Sequence, residues 1–153
     1  MHRIVIADTS CLILYSKIGL THILHLLYSD VIITPEVANE FGEPVPEWIN
    51  IQSPKPENIN LFDSYNIGIG EITSLALAFE LKNSTVILDD DKAKKIAKSF
   101  NLEVTGALGI IVKAKEKNII PNVKDVLTKI KATDFHLPSS LENPILKVAG
   151  EVK

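Results

Sequence analysis

Short apolar runs alternate along the chain with longer stretches that carry apolar residues on one side only. The apolar runs predict strands at residues 4–7, 31–33, 85–88 and 102–105, and the Pro- and Asn-rich loop of residues 43–60 leaves room for one more short strand at 48–52. The amphipathic stretches predict helices at residues 10–17, 21–28, 36–41, 71–81, 92–100, 107–117, 123–132 and 139–149. Continuous Ile and Val runs without alternation are typical of strands covered on both faces. The pattern therefore predicts an α/β domain with a mainly parallel sheet and right-handed crossovers.

Several residues mark where the predicted helices begin and end. Gly19 and Gly42 follow two of the helical stretches and are expected to end them. The sequence Thr34-Pro35 is a helix start, with Thr as the cap and Pro at the first helical position, and Thr21 is expected to cap the second helix. Pro144 is expected to interrupt the early turns of the last helix.

Length and composition favour one domain over residues 1–153, because 153 residues with 46% hydrophobic residues can bury a core without disulfides or metals. The apolar stretches are interrupted well before the roughly 20 residues that a membrane span requires, and no signal peptide precedes the first strand. The single cysteine, Cys11, excludes an internal disulfide and is expected to be a small core residue. These features predict a cytoplasmic protein without a membrane partner.

The net charge of −3 argues against a protein that coats nucleic acid through overall positive charge. It does not exclude an enzyme that acts on nucleic acid. A group of acids that holds metal ions is negative without the ions, and the bound ions reverse the sign of the local charge.

Acidic residues follow two of the predicted strands at the point where each strand ends. Asp8 comes directly after the first strand, and Asp89–Asp91 follow the strand at 85–88. Ligands of parallel sheets bind beyond the carboxyl ends of the strands, so these acids share one edge if the two strands are neighbours. Glu71 lies in the first turn of its helix, which can enter its crossover from the opposite edge, and Glu40 lies near the end of another helix. Spacing alone therefore does not bring Glu71 or Glu40 to Asp8.

Carboxylates that meet at one edge repel each other and raise each other's pKa unless a cation neutralises them. Their hard oxygen atoms suit Mg²⁺ or Mn²⁺, which can activate a water molecule and hold the oxygens of a phosphodiester. The competing interpretation is that the acids only cap helices or face solvent, and spacing alone favours it.

The chain also resembles a known family, in segments whose order and spacing are more specific than any one of them. These segments are residues 4–10 (IVIADTS), 14–19 (LYSKIG), 70–71 (GE), 87–93 (ILDDDKA), 106–109 (GALG) and 145–151 (ILKVAGE). Together they resemble the PIN domain, and more narrowly its VapC-like DUF3368 branch, over nearly the whole chain. The departures are Asp91, where the branch usually has a basic residue, and Cys11, where it often has proline.

The resemblance implies a three-layer α/β/α sandwich and a metal-dependent endoribonuclease, the toxin of a VapBC-like toxin–antitoxin pair, with RNA as substrate and an antitoxin protein as partner. The catalytic acids that it implies, which would also hold Mg²⁺ or Mn²⁺, are Asp8, Glu71 and Asp90. The supporting acids that it implies are Glu40 and Asp89, and Thr9 and Ser10 are further supporting candidates. Thr9 and Ser10 are candidates to orient a water or a phosphate, although helix capping also explains them. The departure at Asp91 leaves the position of the ligand within the Asp triplet open by one residue.

Two other functions are weighed against the ribonuclease. One is a non-catalytic PIN-like module that binds a protein partner or RNA. The other is a phosphatase with an aspartyl nucleophile after the first strand, which is weaker because Ser10 stands where such enzymes need a second acid.

Three further groups of side chains have both a functional and a structural interpretation. His22 and His25 have a spacing that can bind metal but no third ligand nearby, so surface positions are favoured. Four lysines form a basic helix face that either contacts RNA phosphates or is only solvated: Lys92, Lys94, Lys95 and Lys98. Four apolar residues serve either a homodimer or the core: Leu12, Ile13, Leu24 and Leu27.

Overall fold

A computed structural model describes residues 3–152 of the chain. Within this range the strands are β1 (Ile4–Ile6), β2 (Asp30–Ile33), β3 (Ile49–Ile51), β4 (Ser84–Ile87) and β5 (Glu103–Thr105). The helices are α1 (Thr9–Ile18), α2 (His22–Leu27), α3 (Pro35–Phe41), α4 (Pro56–Ile59), α5 (Ile69–Glu80), α6 (Asp91–Ser99), α7 (Ala107–Glu116), α8 (Val123–Lys131) and α9 (Ser139–Val148).

The strands form one parallel sheet in the order β3-β2-β1-β4-β5. The first strand therefore lies in the centre, with β2 on one side and β4 on the other. Ile6 pairs with Ile32 and with Val86, so the carboxyl ends of the three central strands are level with one another. This register decides which loops meet at the carboxyl edge of the sheet.

Two separate cores cover the two faces of the sheet, which confirms the predicted three-layer α/β/α architecture. Val5 and Ala7 point into one core with residues of α1, α2, α7 and α8. Ile6 points into the other core with residues of α5 and α6. Successive residues of a strand face opposite sides, and here both sides are apolar, which is why the strands read as unbroken hydrophobic runs.

Side-chain caps and left-handed glycines set most of the helix ends. Thr34 accepts a hydrogen bond from the Val37 backbone N–H at the start of α3, where Pro35 is the first helical residue, as predicted. Gly19 (φ 72°) and Gly42 end α1 and α3 in the left-handed conformation that glycine adopts without strain. The predicted cap at Thr21 is wrong, because its backbone is already helical and its side chain makes no capping hydrogen bond.

The element boundaries differ from the prediction in a few places. The short strand expected at 48–52 is present as β3, and α4 is an additional one-turn helix in a stretch predicted as loop, where Pro56 starts it. Helix α9 continues through Pro144 without a break. Pro144 is the sixth of the ten residues of that helix, and its missing N–H removes one intrahelical hydrogen bond there.

The side chains with two interpretations are mostly used by the core. Leu12, Leu24 and Leu27 are buried within the single chain, whereas Ile13 is 37% exposed. Cys11 is fully buried, and burial raises the pKa of its thiol. Among the described helices, none combines the length and the apolarity that a membrane crossing requires.

The end of the described chain is fastened to the start of α8 by one carboxylate. Glu151 accepts hydrogen bonds from the backbone N–H groups of Val123 and Lys124, and from Lys115 Nζ at 3.1 Å. Burial would raise the pKa of Glu151, but these donors outweigh it and hold that pKa below its usual value. The carboxylate therefore joins α7, α8 and the residues after α9.

Replacing Glu151 with Gln tests how much these hydrogen bonds stabilise the fold. Gln keeps the size of the side chain but loses the charge that strengthens three hydrogen bonds, so we expect the free energy of unfolding at pH 7 to fall by roughly 1–2 kcal/mol. Chemical denaturation measures it. Glu116→Gln, at an exposed position of α7, is the control and should change the free energy by less than about 0.5 kcal/mol. Equal effects of the two variants would contradict the role of Glu151.

Candidate active site

The register of β1 against β4 brings two carboxylates together at the carboxyl edge of the sheet. Ile6 pairs with Val86, and each of the two strands is followed by a short segment that leaves the edge. Asp8 and Asp89 each lie two residues beyond the end of their strand. The charge of Asp89 raises the pKa of Asp8, which places the two side chains within electrostatic reach of each other.

Asp8 is the most buried acid of this site, with 3% of its surface exposed. Its Oδ1 accepts a hydrogen bond from the Cys11 backbone N–H at 3.0 Å, so the carboxylate caps α1. Burial is the main cause that raises the pKa of Asp8, to about 7, with smaller contributions from the nearby Asp89 and Glu71 carboxylates, and the Cys11 N–H partly opposes them. The capping interpretation is therefore correct but incomplete, because one backbone donor does not compensate a buried charge.

Asp89 is held at one oxygen and left unpaired at the other. Its Oδ1 accepts a hydrogen bond from the Ala107 backbone N–H at 3.1 Å, whereas Oδ2 is buried without a hydrogen-bond partner. Burial raises the pKa of Asp89, and Lys94 lowers it. A Cβ atom at Gly106 would come within 2.9 Å of Asp89 Oδ1, so the glycine makes room for this carboxylate.

Glu71 reaches the same edge, because α5 begins there. Its Oε1 accepts a hydrogen bond from the Gly68 backbone N–H at 3.0 Å. Burial raises the pKa of Glu71, and the carboxylates of Asp90 and Glu40 raise it further. The possibility that α5 starts at the opposite edge is thus excluded, since its first turn faces the acids.

Glu40 is exposed but held in place by its neighbours. Its Oε1 accepts a hydrogen bond from Thr9 Oγ1 at 2.6 Å. The same oxygen occupies the space that a Cβ atom would need at Gly70. Thr9 therefore orients Glu40, while Ser10 is exposed and borders the cavity next to it.

Asp90 and Asp91 lie at the start of α6. Asp90 Oδ2 accepts a hydrogen bond from the Ala93 backbone N–H at 2.9 Å and caps α6, and Asp91 is exposed in the first turn of that helix. The charge of Asp90 raises the pKa of Glu71, so Asp90 lies within electrostatic reach of the acids at this edge. The resemblance gives the ligand role to Asp90, and that role stays a prediction.

The donors at this edge fit a hard divalent cation in their chemistry. All are carboxylate oxygens, one of them is buried and unpaired, and their raised pKa values report charge that the protein leaves uncompensated. Within residues 3–152, however, no group of three or more His, Cys, Asp or Glu side chains is arranged to hold a metal ion as the side chains stand.

A buried pair of threonine hydroxyls links two helices of the site. The sequence pattern carries no signal for this pair. Thr34 Oγ1 and Thr73 Oγ1 are 2.8 Å apart and hydrogen-bonded. Thr34 caps α3, which carries Glu40, and Thr73 lies on α5, which carries Glu71. The pair therefore joins the two helices that bring the glutamates to the edge.

The histidines and most of the lysines lie outside this site. His22 and His25 are exposed, and the His25 ring stacks on Trp48 with 4.7 Å between the ring centroids. Among the lysines of α6, Lys94 lies next to Asp89, whereas Lys92 donates a hydrogen bond to the Asn66 carbonyl oxygen. The basic helix face thus contributes one lysine to the acid site.

The raised pKa of Asp8 predicts how stability depends on pH when divalent ions are removed with EDTA. The pKa of Asp8 is about 7 in the folded chain against 3.8 as its ordinary value, so folding takes up a proton between these values. Wild-type stability should therefore fall as pH rises through this window. Asp8→Asn retains an oxygen that can cap α1 and removes the charge, so its stability advantage should grow across the window, to at most about 4 kcal/mol at pH 8. Chemical denaturation measures the difference, and a difference independent of pH would contradict the burial of an ionisable Asp8.

The comparisons with known proteins agree with this architecture. The family model DUF3368, described as a PIN domain, matches residues 4–151. A search of the curated proteins finds no match. PIN domains are generally nucleases, and those nucleases generally use divalent metals. Because this family model matches nearly the whole chain, the chain belongs to the PIN domain family, in its DUF3368 branch.

Proposed function

We propose that this PIN domain is a metal-dependent endoribonuclease that hydrolyses RNA phosphodiester bonds with Mg²⁺ or Mn²⁺. The observation that carries the proposal is a pair of neighbouring carboxylates at the carboxyl edge of the sheet, the buried Asp8 and the half-buried Asp89, with one buried oxygen of Asp89 left unpaired. Two such carboxylates repel each other, and a bound cation would relieve this repulsion.

Asp8, Asp89 and Glu71 are the residues that would hold the ion, with Asp89 in the role that the family resemblance gives to Asp90. When bound, a divalent ion lowers the pKa of a water molecule and neutralises charge on the phosphodiester. The backbone N–H groups of Cys11 and Ala107 fix one oxygen each of Asp8 and Asp89 and leave the other oxygen for a ligand. These carboxylates are therefore oriented before any ligand arrives.

Thr9 and Glu40 form the solvent side of the site. Glu40 is exposed, and the Thr9 hydroxyl keeps its carboxylate at the mouth of the acid site. In this position Glu40 can accept a proton from water near the scissile phosphate or bind the ion through a water molecule. Asp90 has a supporting role, because its charge acts on Glu71 while its oxygen caps α6.

The resemblance to the VapC-like branch supports a narrower proposal, that the nuclease is the toxin of a VapBC-like pair and binds an antitoxin protein. Expression of the wild-type chain should then arrest bacterial growth, and expression of Asp8→Asn should not. Normal growth at a verified level of folded wild-type protein would contradict the toxin role.

A second candidate function is a non-catalytic module that binds RNA or a protein partner. The observation that favours it is that the acids of the described chain, as they stand, do not form a group of three ligands. Calorimetric titration with Mn²⁺ separates the two functions. A nuclease should bind Mn²⁺ at the acid site, and Asp89→Asn should abolish this binding. A non-catalytic module does not need to bind Mn²⁺ there.

Substitution of the acids tests the ribonuclease directly. Because the loss of a group that merely supports a metal ligand already costs 10–100-fold in activity, we expect Asp8→Asn and Asp89→Asn to lower Mn²⁺-dependent RNA cleavage by at least about 100-fold. Asp90→Asn keeps an oxygen that can cap α6 and should lower cleavage by at most about 10-fold. A gel assay with a labelled RNA measures the rates.

Two controls accompany these variants. Asp63→Asn replaces an exposed acid of the loop before α5 and should leave cleavage unchanged. Thermal unfolding verifies that each variant is folded. Full activity in excess EDTA, or undiminished activity of Asp8→Asn, would contradict the proposed function.

The close approach at Gly70 gives a separate test of Glu40. In Gly70→Ala the new methyl group displaces the Glu40 carboxylate from Thr9, so we expect cleavage to fall by about 10-fold. Stability should stay unchanged or rise by up to about 1 kcal/mol, because Ala is favoured over Gly inside a helix. Activity and denaturation are measured together. The double variant Gly70→Ala/Glu40→Gln should be as active as Gly70→Ala alone if the loss of cleavage acts through Glu40. A further large loss of cleavage in the double variant would contradict that.

A further inference from the structure

Two cavities open on either side of the connector between α8 and α9, residues 132–138. One has a volume of about 550 Å³ and borders Thr9 and Glu40. The other has a volume of about 560 Å³ and borders Asp89. Phe135 lines both cavities, so this ring stands between two openings that reach the acid site.

The cavity at Asp89 has two kinds of lining. Its polar lining includes Lys94 and His136 in addition to acids. Its apolar lining includes Leu108, Leu141 and the ring of Phe135. A nucleotide has the same two parts, a charged phosphate and a flat apolar base face, and this volume lies within the roughly 300–1,000 Å³ of small-ligand sites.

Phe135 is held in place before any ligand binds. Its backbone N–H donates a hydrogen bond to Thr133 Oγ1 at 3.2 Å, and the Thr133 hydroxyl donates one to the Ile130 carbonyl oxygen at 2.7 Å. The ring packs against the core that contains α1 and α8 and remains half-buried. Because the ring is already ordered, stacking of a base on it costs little side-chain entropy.

Lys94 is the lysine of α6 that borders this cavity. Its Nζ lies 3.6 Å from the position of a Cβ atom at Gly106, beside the Asp89 carboxylate. It has no ion pair within 4 Å among the salt bridges of the described residues. A phosphate in the cavity would find in Lys94 a cation next to the acids, where the negative charge of RNA most needs one.

We propose that this cavity receives a single unstacked nucleotide of RNA beside the bond that is cut, with its base on the Phe135 ring and a phosphate at Lys94. The inference rests on the proposed ribonuclease function and adds to it the residues that receive the nucleotide, Phe135 and Lys94. In a duplex the base faces are stacked on each other and cannot reach the ring. A protein segment as the occupant is the competing outcome of the test below.

The test measures binding without cleavage. Fluorescence anisotropy in EDTA follows a fluorescein-labelled RNA of about 12 nucleotides, single-stranded or annealed to its complement. Wild type should prefer the single strand. Phe135→Ala should weaken single-strand binding by roughly 5–50-fold and abolish the preference, and Phe135→Trp should stay within about 3-fold of wild type, because any aromatic ring supports stacking.

Lys94→Gln and Lys98→Gln form a matched pair on the same helix. Lys94→Gln should weaken binding and reduce the slope of log K against log salt by about 0.7, the value for one phosphate contact of a single strand. Lys98 is exposed and outside the cavity, so Lys98→Gln should leave the slope unchanged. Thermal unfolding verifies that every variant is folded. If Phe135→Ala does not fold, the comparison of Lys94→Gln with Lys98→Gln decides the test.

The outcomes separate this inference from the proposed function. If wild type cleaves RNA in Mn²⁺ but Phe135→Ala and Lys94→Gln bind RNA as tightly as wild type does, the nucleotide site alone is overturned. The predicted binding losses without any cleavage in Mn²⁺ would overturn the nuclease and leave the site intact as an RNA-binding site. Absence of RNA binding by wild type, which a protein occupant would produce, would overturn the inference.

Discussion

The sheet holds carboxylates close together at its carboxyl edge, where they repel each other. The arrangement of the side chains at this edge depends on that repulsion. The parallel register of β1 and β4 sets Asp8 and Asp89 side by side, and burial removes the water that would separate their charges. The nearest lysine, Lys94, opposes only part of the charge. A cation is the simplest species that would satisfy the rest.

The helix starts around this edge limit the cost of the arrangement. Backbone N–H groups of Cys11, Ala107 and Gly68 each donate to one carboxylate oxygen, and these groups have no partner within their own helices. Each acid is thereby oriented through one oxygen, while the other remains available. Helix capping and ligand binding, which compete as interpretations of the sequence, are in this fold two uses of the same side chain.

The sequence predicts the strands, the layer architecture and the edge well, because buried parallel strands leave a strong apolar pattern and acids that follow them stand out. It leaves the choice between Asp89 and Asp90 open. Three successive acids carry no signal that shows which of them caps α6, and in the structure that residue is Asp90. The place of Glu71 likewise follows from where α5 enters the crossover, which spacing does not determine.

Phe135 and His136 are not identified from the sequence at all. They lie in an irregular connector far along the chain from the acids, and only the packing of α8 and α9 against the rest brings them to the edge. Glu151 contributes to that packing through its bonds to the start of α8. The C-terminal segment therefore does more than cover the sheet, because the connector between α8 and α9 lines both cavities beside the acids.

A crystal structure with Mn²⁺ would show whether Asp8 and Asp89 share a divalent ion, as we propose. The anomalous signal of Mn²⁺ locates the ion without assumptions about its ligands. We expect one ion bound by oxygens of Asp8 and Asp89, at about 2.0–2.4 Å, with Glu71 or Glu40 turned toward it. An ion bound by Asp90 and Asp91 instead, or an acid site without an ion at saturating Mn²⁺, would contradict it.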